Sequence, residues 1–373
     1  MDRKKKICWL TPDYFIIVDA PKVPYLIDDY DIEWILINTY NTFRKTDGLL
    51  TGKCKPSEYN LKFRQKDPRV IWQYLRLLFK IRRMKADLIY ISFHGFPFFL
   101  PLLLMFFNAD KIVWGVHNVR TPKGASNSRL MDIYQDYVFK RIKNIHVFSG
   151  YQLSIVKEMY PQKNHYLIPL TLEDYGVSHV LPPENSIRFL FFGYIKDYKG
   201  LDLLISSFND LCDSGICNIE LLIVGKCDNW DFYKSKINGN ASIKTRIESI
   251  PNTDIPDVIS SCHYIVLPYR DSAQSGVLNL AYQYNRPVIV SDIDALKQAV
   301  ISGSTGLFFQ NGSQESLTEV MKEAVASHPV KYLELRSNMG SYVEKEFDMD
   351  KIIDRYKVLL NDCLEKVDSS KSI

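Results

Sequence analysis

The chain has 373 residues, of which 46% are hydrophobic and 24% charged; this composition excludes a disordered chain and exceeds what a single ordinary core holds. A formal net charge of +4 is too small to mark a nucleic-acid binder. The seven cysteines are scattered and form no C-x-x-C pair, which argues against a zinc site or a disulfide framework and for a reducing compartment.

Lys4-Lys5-Lys6 precedes an apolar run, Ile7 to Leu10. That run is too short for a secretion signal and ends at Pro12-Asp13, so it is expected to be the first strand. Tyr14 to Pro24 follows as an aromatic and apolar loop without glycine, and Ile32 to Ile37 reads as the second strand. Val70 to Lys85 has helical periodicity. Its Arg76, Lys80, Arg82, Arg83 and Lys85 alternate with Trp72, Leu75, Leu77, Leu78, Phe79 and Ile81. Two readings stay open for it: a helix lying on an anionic membrane, or a surface helix whose cations are merely solvated.

Asp87 to Phe93 is a buried strand ending in His94-Gly95. Phe96 to Phe107, with two prolines, is too short to span a bilayer and is expected to be a buried helix, with contact to a membrane surface as the other reading. Lys111 to Val116 is a strand ending in His117-Asn118. Both histidines thus follow strands, on the side where parallel sheets bind ligands. A helix over Ser128 to Lys140, a strand over Ile145 to Phe148, a helix over Tyr151 to Met159 and a strand over His165 to Ile168 complete a first domain, 1–172. Residues 173–186, with Gly176 and Pro182-Pro183, lack periodicity and read as a linker to a second domain, 187–349.

The second domain repeats one grammar of apolar run, short polar turn and amphipathic segment. Phe189 to Phe192 is a buried strand, Gly193 ends it, and Lys196 and Lys199 lie in the loop before a helix that places Leu201, Leu204 and Phe208 inward. Two cations beside a helix start suit an anion such as phosphate. Ile219 to Val224 is the next strand, followed by Gly225-Lys226, a helix over Trp230 to Lys236 and an alternating strand over Ile243 to Glu248. A helix over Asp254 to Cys262 leads to a strand at Tyr264 to Pro268. The loop through Ser272, Gln274 and Ser275 then opens a helix at Gly276, a second anion cradle. Asn285 stops that helix, Pro287 to Ser291 is a strand, and residues 303–309 turn into an edge strand. Helices follow over Ser316 to Ala326 and Lys331 to Glu344, and a last one over 350–367 is expected to pack back on the first domain. Asp-x-Asp occurs at Asp29-Tyr30-Asp31, Asp292-Ile293-Asp294 and Asp348-Met349-Asp350, but so short a pattern is weak, and Asp292 is expected to cap a helix.

Phe192-Gly193-Tyr194-Ile195-Lys196-Asp197-Tyr198-Lys199-Gly200 resembles the Phe-Gly-x-Ile-Arg-x-Tyr-Lys-Gly loop of glycosyltransferase family 4, with Lys196 where Arg is usual. Ile255-Pro256 through Leu267-Pro268-Tyr269, then Gln274-Ser275-Gly276-Val277 with Pro287-Val288-Ile289, and Gly303-Ser304-Thr305-Gly306-Leu307 resemble the family's later elements. The resemblance is close over Ile187 to Leu317; the first half matches only through Val116-His117-Asn118 and the element order. There are departures. The family's pair of glutamates would fall at Ser272 and Leu280, its aspartate before the strand is His263, and its Gly-rich loop after the first strand is replaced by Tyr14 to Pro21.

The resemblance implies an α/β protein of the GT-B class, two Rossmann-like domains facing across a cleft. It implies an enzyme that moves a sugar from a nucleotide-sugar to a glycan or lipid-linked acceptor, without a metal or other cofactor and with retention, in cell-surface polysaccharide biosynthesis such as that of capsule or lipopolysaccharide. The catalytic set would be His117, Lys196 and Lys199. The donor would meet Gly193, Tyr194, Gly225, Lys226, Ser272, Gln274, Ser275, Gly276 and Val277, and the acceptor Asp13, Tyr14, His94 and Asn118. A cytoplasmic location with peripheral contact at the inner face of the plasma membrane would follow, with no nucleic-acid partner. Two alternatives stand beside this. One is an inverting transferase using Asp13, Asp19 or His94 as base. The other is a non-catalytic nucleotide-binding partner of a polysaccharide assembly, suggested by the missing glutamates.

Overall fold

The computed structural model describes residues 3–40, 54–92, 98–119, 128–272 and 274–371. The chain divides into two units: residues 1–171 with 348–373, and residues 172–347.

The first unit is built on a seven-stranded sheet of order β3-β2-β1-β4-β5-β6-β7, all neighbours parallel. Its strands are β1 (Lys6–Pro12), β2 (Asp31–Asn38), β3 (Ser57–Asn60), β4 (Leu88–Ile91), β5 (Ile112–Val116), β6 (Asn144–Val147) and β7 (Asn164–Leu167). The central strands β4 and β5 are buried throughout, as continuous apolar runs demand when helices cover both faces of a sheet. Cys8, Leu10, Ile35, Ile37, Ile89 and Trp114 face one layer, against the helices Val70–Met84, Phe99–Phe106 and Ser128–Arg141. Ile7, Trp9, Trp34, Leu36 and Tyr90 face the other. There the last helix, Met349–Lys371, supplies Ile352, Tyr356, Leu359, Leu360 and Leu364. The C-terminal segment therefore closes a face that the earlier part of the chain leaves uncovered.

The second unit has six parallel strands in the order β10-β9-β8-β11-β12-β13. They are β8 (Ile187–Phe192), β9 (Ile219–Val224), β10 (Ile243–Arg246), β11 (Tyr264–Leu267), β12 (Val288–Ser291) and β13 (Gly306–Phe309). Phe189, Phe191, Leu221 and Ile289 pack on the helices Leu201–Asp213 and Gln314–Ala326. Leu190, Ile265, Val288 and Val290 pack on Ile255–Ser260 and Gly276–Gln283. The strand order of each sheet reverses once, between β1 and β4 and between β8 and β11, and ligands of doubly wound sheets bind at the carboxyl ends beside such a reversal.

Several expectations are corrected. Tyr14 to Pro24 is not an open loop but a run of short helical turns, Asp13–Phe15, Ile16–Asp19 and Val23–Leu26; they bury Phe15, Ile16, Val18 and Val23, which explains the missing glycine. The apolar helix starts at Phe99 and is only half buried: Phe99, Leu100 and Leu103 point inward while Met105 is 77% exposed. The polar edge strand β3 has no apolar alternation to announce it. Asp292 is no helix cap; its carboxylate accepts from the Asn311 N–H at 2.8 Å, and the short helix Asp294–Lys297 is preceded by Ile293. All seven cysteines are free. Among the described residues no helix is long and apolar enough to cross a membrane.

Candidate functional site

At the carboxyl end of β8 the chain turns through Gly193 at φ +101°. Gly225, which ends β9, lies against it at φ +143°, and a Cβ there would sit 2.0 Å from the Gly193 carbonyl oxygen. Only glycine fits such an approach at such an angle. The pairing runs on past both strands, with the Gly193 N–H on the Val224 carbonyl at 2.9 Å and the Ile195 N–H on the Lys226 carbonyl at 2.8 Å. The loop that carries the lysines is thereby fixed to the sheet.

The two lysines differ. Lys196 is exposed and engaged: its ammonium is 2.8 Å from an Asp228 carboxylate oxygen and 2.9 Å from the Tyr194 hydroxyl, which itself donates to Asp228. These partners raise the pKa of Lys196. Lys199 is half buried, and its ammonium has no hydrogen bond or ion pair among the described residues; it lies 5.7 Å from the centroid of the Tyr269 ring. Desolvation without a counter-charge draws its pKa down to about 8. A methyl placed on Gly193 would meet the Lys199 ammonium at 3.3 Å and Val277 at 3.4 Å. The loop after β8 and the start of the helix Gly276–Gln283 therefore converge on one spot, with a bare cation at it.

Ser275 caps that helix, its hydroxyl oxygen accepting from the Leu278 N–H at 3.2 Å and donating to the Tyr269 hydroxyl at 3.4 Å. The N–H groups of Gly276 and Val277 have no partner among the described residues, and the space over the Gly276 Cα is open. Ser272 turns its hydroxyl onto the Gln274 carbonyl at 2.9 Å. Lys226 stands 6.0 Å from the centre of the Tyr194 ring. Leu280 is 6% exposed within the apolar cluster of Leu278, Ala281 and Val288, so the second glutamate position of the resembled family points into a core here.

Sequence reading missed the ties that hold this arrangement. Arg270 donates to the Asp197 carbonyl at 2.6 Å and pairs with Asp202 at 2.6 Å, while its own N–H reaches the Tyr198 carbonyl at 2.7 Å. The lysine loop is thus bound to the loop after β11. Ser291 adds a bond to the Tyr269 carbonyl at 2.5 Å. Arg270 and its acid are far apart in sequence, and no local pattern joins them. His263, which stands where the resembled family has aspartate, is buried; its Nδ1 accepts from the Arg188 N–H at 3.0 Å. Burial lowers its pKa to about 4.

In the first unit His117 follows β5 directly. Its Nε2 lies 3.0 Å from the Ser92 carbonyl oxygen. A carbonyl only accepts, so Nε2 carries the proton and Nδ1 the lone pair. Phe15 and Phe148 flank the ring at 4.1 and 5.0 Å between centroids. Desolvation lowers its pKa to about 4, so it is neutral at pH 7. Asp13 is buried; its carboxylate accepts from the Tyr14 N–H at 2.9 Å and the Thr39 hydroxyl at 2.9 Å. Tyr14 is 39% exposed beside it. Asn118 gives its carbonyl to Gln135 at 3.3 Å. His94 lies outside the described residues. Asp19 is fully buried and paired with Lys22 at 2.7 Å, which removes it as an accessible base. Among the described residues no group of His, Cys, Asp and Glu is placed to hold a metal ion.

Comparison with known proteins fits this geometry. The family described as "Glycosyl transferases group 1" matches residues 186–327. A GDP-mannose:glycolipid 4-beta-D-mannosyltransferase of Xanthomonas campestris pv. campestris is 30% identical over 105 residues, covering 27% of this chain and 29% of that protein. An uncharacterized glycosyltransferase of Methanocaldococcus jannaschii is 27% identical over 184 residues, 47% of this chain and 48% of that protein. The chain thus spans less than half the length of these curated relatives. Among solved structures, HepE from Anabaena in complex with UDP and glucose superposes at a TM-score of 0.73 with 14% identity, covering 96% of this chain and 100% of that one. Sucrose-phosphate synthase from Thermosynechococcus elongatus gives 0.73 with 15% identity, over 96% and 99%. WaaG, a glycosyltransferase involved in lipopolysaccharide biosynthesis, gives 0.65 with 15% identity, over 95% and 98%. Residues 186–327 are thus similar to glycosyl transferases group 1, in a chain whose fold is that of GT-B glycosyltransferases.

Proposed function

We propose that the protein transfers a sugar from a nucleoside-diphosphate donor to a glycan or lipid-linked acceptor in cell-surface polysaccharide biosynthesis. The observation that carries this is the Lys199 ammonium, half buried with no counter-charge among the described residues, where Gly193 meets the start of the helix Gly276–Gln283. A diphosphate supplies the charge that Lys199 lacks, and the free N–H groups of Gly276 and Val277 suit its oxygens. As the glycosidic bond breaks, negative charge grows on the leaving phosphate, and preorganised cations and N–H groups stabilise that charge more than the ground state. Lys196 joins them by exchanging Asp228 for phosphate. Tyr194, Gly225, Lys226, Ser272, Gln274 and Ser275 are assigned to the donor, and the family resemblance assigns His117 a contact with the sugar. No metal or other cofactor takes part in this reading. The Xanthomonas relative, a mannosyltransferase acting on a glycolipid, and HepE, solved in complex with UDP and glucose, support the substrate classes.

The acceptor is assigned to the first unit, at Asp13, Tyr14, His94 and Asn118. The helix Val70–Met84 supports a peripheral contact with the inner face of the plasma membrane, in the cytoplasm. Trp72 is 72% and Phe79 53% exposed, and Arg76, Lys80 and Arg83 are exposed on the same face. Flotation with vesicles containing phosphatidylglycerol at low salt tests this, and absence of binding would remove the membrane contact.

Retention is proposed from the resemblance to glycosyltransferase family 4; of the candidate bases, Asp19 is buried and paired with Lys22. One observation favours inversion: the name of the Xanthomonas relative specifies a β-linked product, which from an α-configured donor requires inversion. The anomeric configuration of the first-formed product, read by proton NMR, decides between them. The proposal as a whole is tested by thermal stabilisation with UDP, GDP, ADP, CMP and their sugars. A ligand at ~100 times its dissociation constant adds about 2.7 kcal/mol. No shift with any of them at saturation would favour the non-catalytic partner.

A further inference from the structure

The turns that replace a glycine-rich loop after β1 bury an ion pair. Asp19 is 0% and Lys22 1% exposed, with the ammonium 2.7 Å from one carboxylate oxygen. The other oxygen accepts three hydrogen bonds, from Trp9 Nε1 at 3.1 Å, Thr11 Oγ1 at 2.6 Å and Ser92 Oγ at 2.8 Å. Thr11 in turn receives the Trp34 indole N–H at 2.9 Å. Lys22 lies over the Tyr356 ring of the last helix at 5.0 Å and near the Phe15 ring at 5.6 Å. A buried pair of this kind is weak evidence for stability, because an apolar pair of like volume often serves as well. Its position is informative. Thr11 lies near the carboxyl end of β1 and Ser92 follows β4, the two strands that flank the reversal of the sheet. Ser92 is also the residue whose carbonyl receives the His117 N–H.

We infer that the buried Asp19–Lys22 pair is a positioning device for His117: it anchors Ser92, whose carbonyl fixes the imidazole tautomer and leaves Nδ1 as a hydrogen-bond acceptor for a hydroxyl of the substrate. This rests on the reading of His117 given above. Asp19 holds the Ser92 hydroxyl and Lys22 neutralises Asp19, so the histidine feels a dipole and not a net charge. The Phe15 and Phe148 rings pack against the imidazole and against each other, the latter at 5.7 Å between centroids. Nδ1 has no partner among the described residues. The neighbouring His146 belongs to a separate chain of bonds. Its Nε2 donates to the Ile168 carbonyl at 3.0 Å, and its Nδ1 accepts from the Tyr90 hydroxyl at 2.7 Å. Burial lowers its pKa to about 3. The charged and titratable groups around His117 are thus Asp19 and Lys22 from the turns after β1 and a neutral His146 from β6. The two charged groups act on it in opposite senses, Asp19 favouring the imidazolium and Lys22 opposing it.

The test combines imidazole nitrogen NMR with kinetics on the full chain, in the parent and in Ser92→Ala, Ser92→Thr, Lys22→Met and Asp19→Asn. Ser92→Ala keeps the carbonyl and the ion pair and removes the hydroxyl, with its bond to Asp19 at 2.8 Å and a longer one to the Leu10 carbonyl at 3.4 Å. It is expected to populate the second tautomer of His117 and to lower kcat by about tenfold to a hundredfold with little change in donor KM, as misplacement of a reacting group does. Ser92→Thr restores the hydroxyl and is expected to recover most of the loss. Lys22→Met should raise the His117 pKa and Asp19→Asn lower it; the tautomer ratio in the serine variants is the readout that a merely structural role would not move. If either charge variant fails to fold, the serine pair decides. An unchanged tautomer, pKa and kcat in folded Ser92→Ala would overturn the inference. Full activity in His117→Ala would instead overturn the role given to His117, while the NMR arm would still report on the positioning.

Discussion

Lys199→Met removes a charge that the folded chain holds at a cost. The pKa of Lys199 falls from 10.5 to about 8, and at 1.36 kcal/mol per unit this is about 3 kcal/mol of unmet desolvation, to order of magnitude. Methionine keeps most of the apolar stem, so the ligand-free variant should melt higher than the parent at pH 7. A lysine whose folded-state pKa lies below its unfolded value penalises the folded state. That penalty is complete below about pH 8 and is relieved as pH rises from there toward 10.5. Parent stability should therefore climb across that window, and the variant should lack the climb. The diphosphate binds the ammonium form. Its Kd should stay flat below about pH 8 and weaken by about tenfold per unit above it. The assay is titration calorimetry with whichever of UDP or GDP gives the larger thermal shift, run in two buffers of different ionisation enthalpy to count proton uptake. Turnover should fall by about 10²–10³ in the variant. Equal nucleotide affinity and equal turnover in parent and variant would refute the reasoning, since no other role for a bare cation at this spot would remain.

Three further outcomes are expected. Asp228→Asn frees Lys196 from an exposed pair at 2.8 Å; because such pairs are weak, donor Kd should tighten only about two- to fivefold, read by calorimetry, and a loosened Kd would argue that Asp228 itself holds the donor. Gly225→Ala places a Cβ 2.0 Å from the Gly193 carbonyl oxygen at φ +143°; the strained backbone alone costs about 1–3 kcal/mol, so the melting temperature should fall together with nucleotide binding, and a parent-like melt would show that the two loops can separate. Leu280→Glu restores a carboxylate where the resembled family has one, but Leu280 is 6% exposed in an apolar cluster; a chemical-denaturation midpoint should drop by the equivalent of several kcal/mol, and a gain in donor affinity without that loss would mean the helix can present this position to the ligand.

The sequence by itself determined the fold and where on it the candidate site residues lie. Continuous apolar runs such as Phe189 to Phe192 and Tyr264 to Leu267 have few other uses than buried parallel strands, and glycines and lysines directly after them mark the ligand side. Lys199, Gly193 and Ser275 were legible for this reason: local spacing fixes which end of a strand or helix they occupy. The tertiary structure alone decided how the site is charged. Lys196 and Lys199 look alike in sequence, yet Asp228 pairs with one while the other's ammonium has no acidic partner among the described residues. Arg270 meets Asp202, Asp19 meets Ser92, and Tyr356 meets Lys22 across long stretches of chain. Such pairs follow from strand order and helix packing. A side chain's charge state depends on which distant groups burial brings beside it, and local pattern carries no record of that.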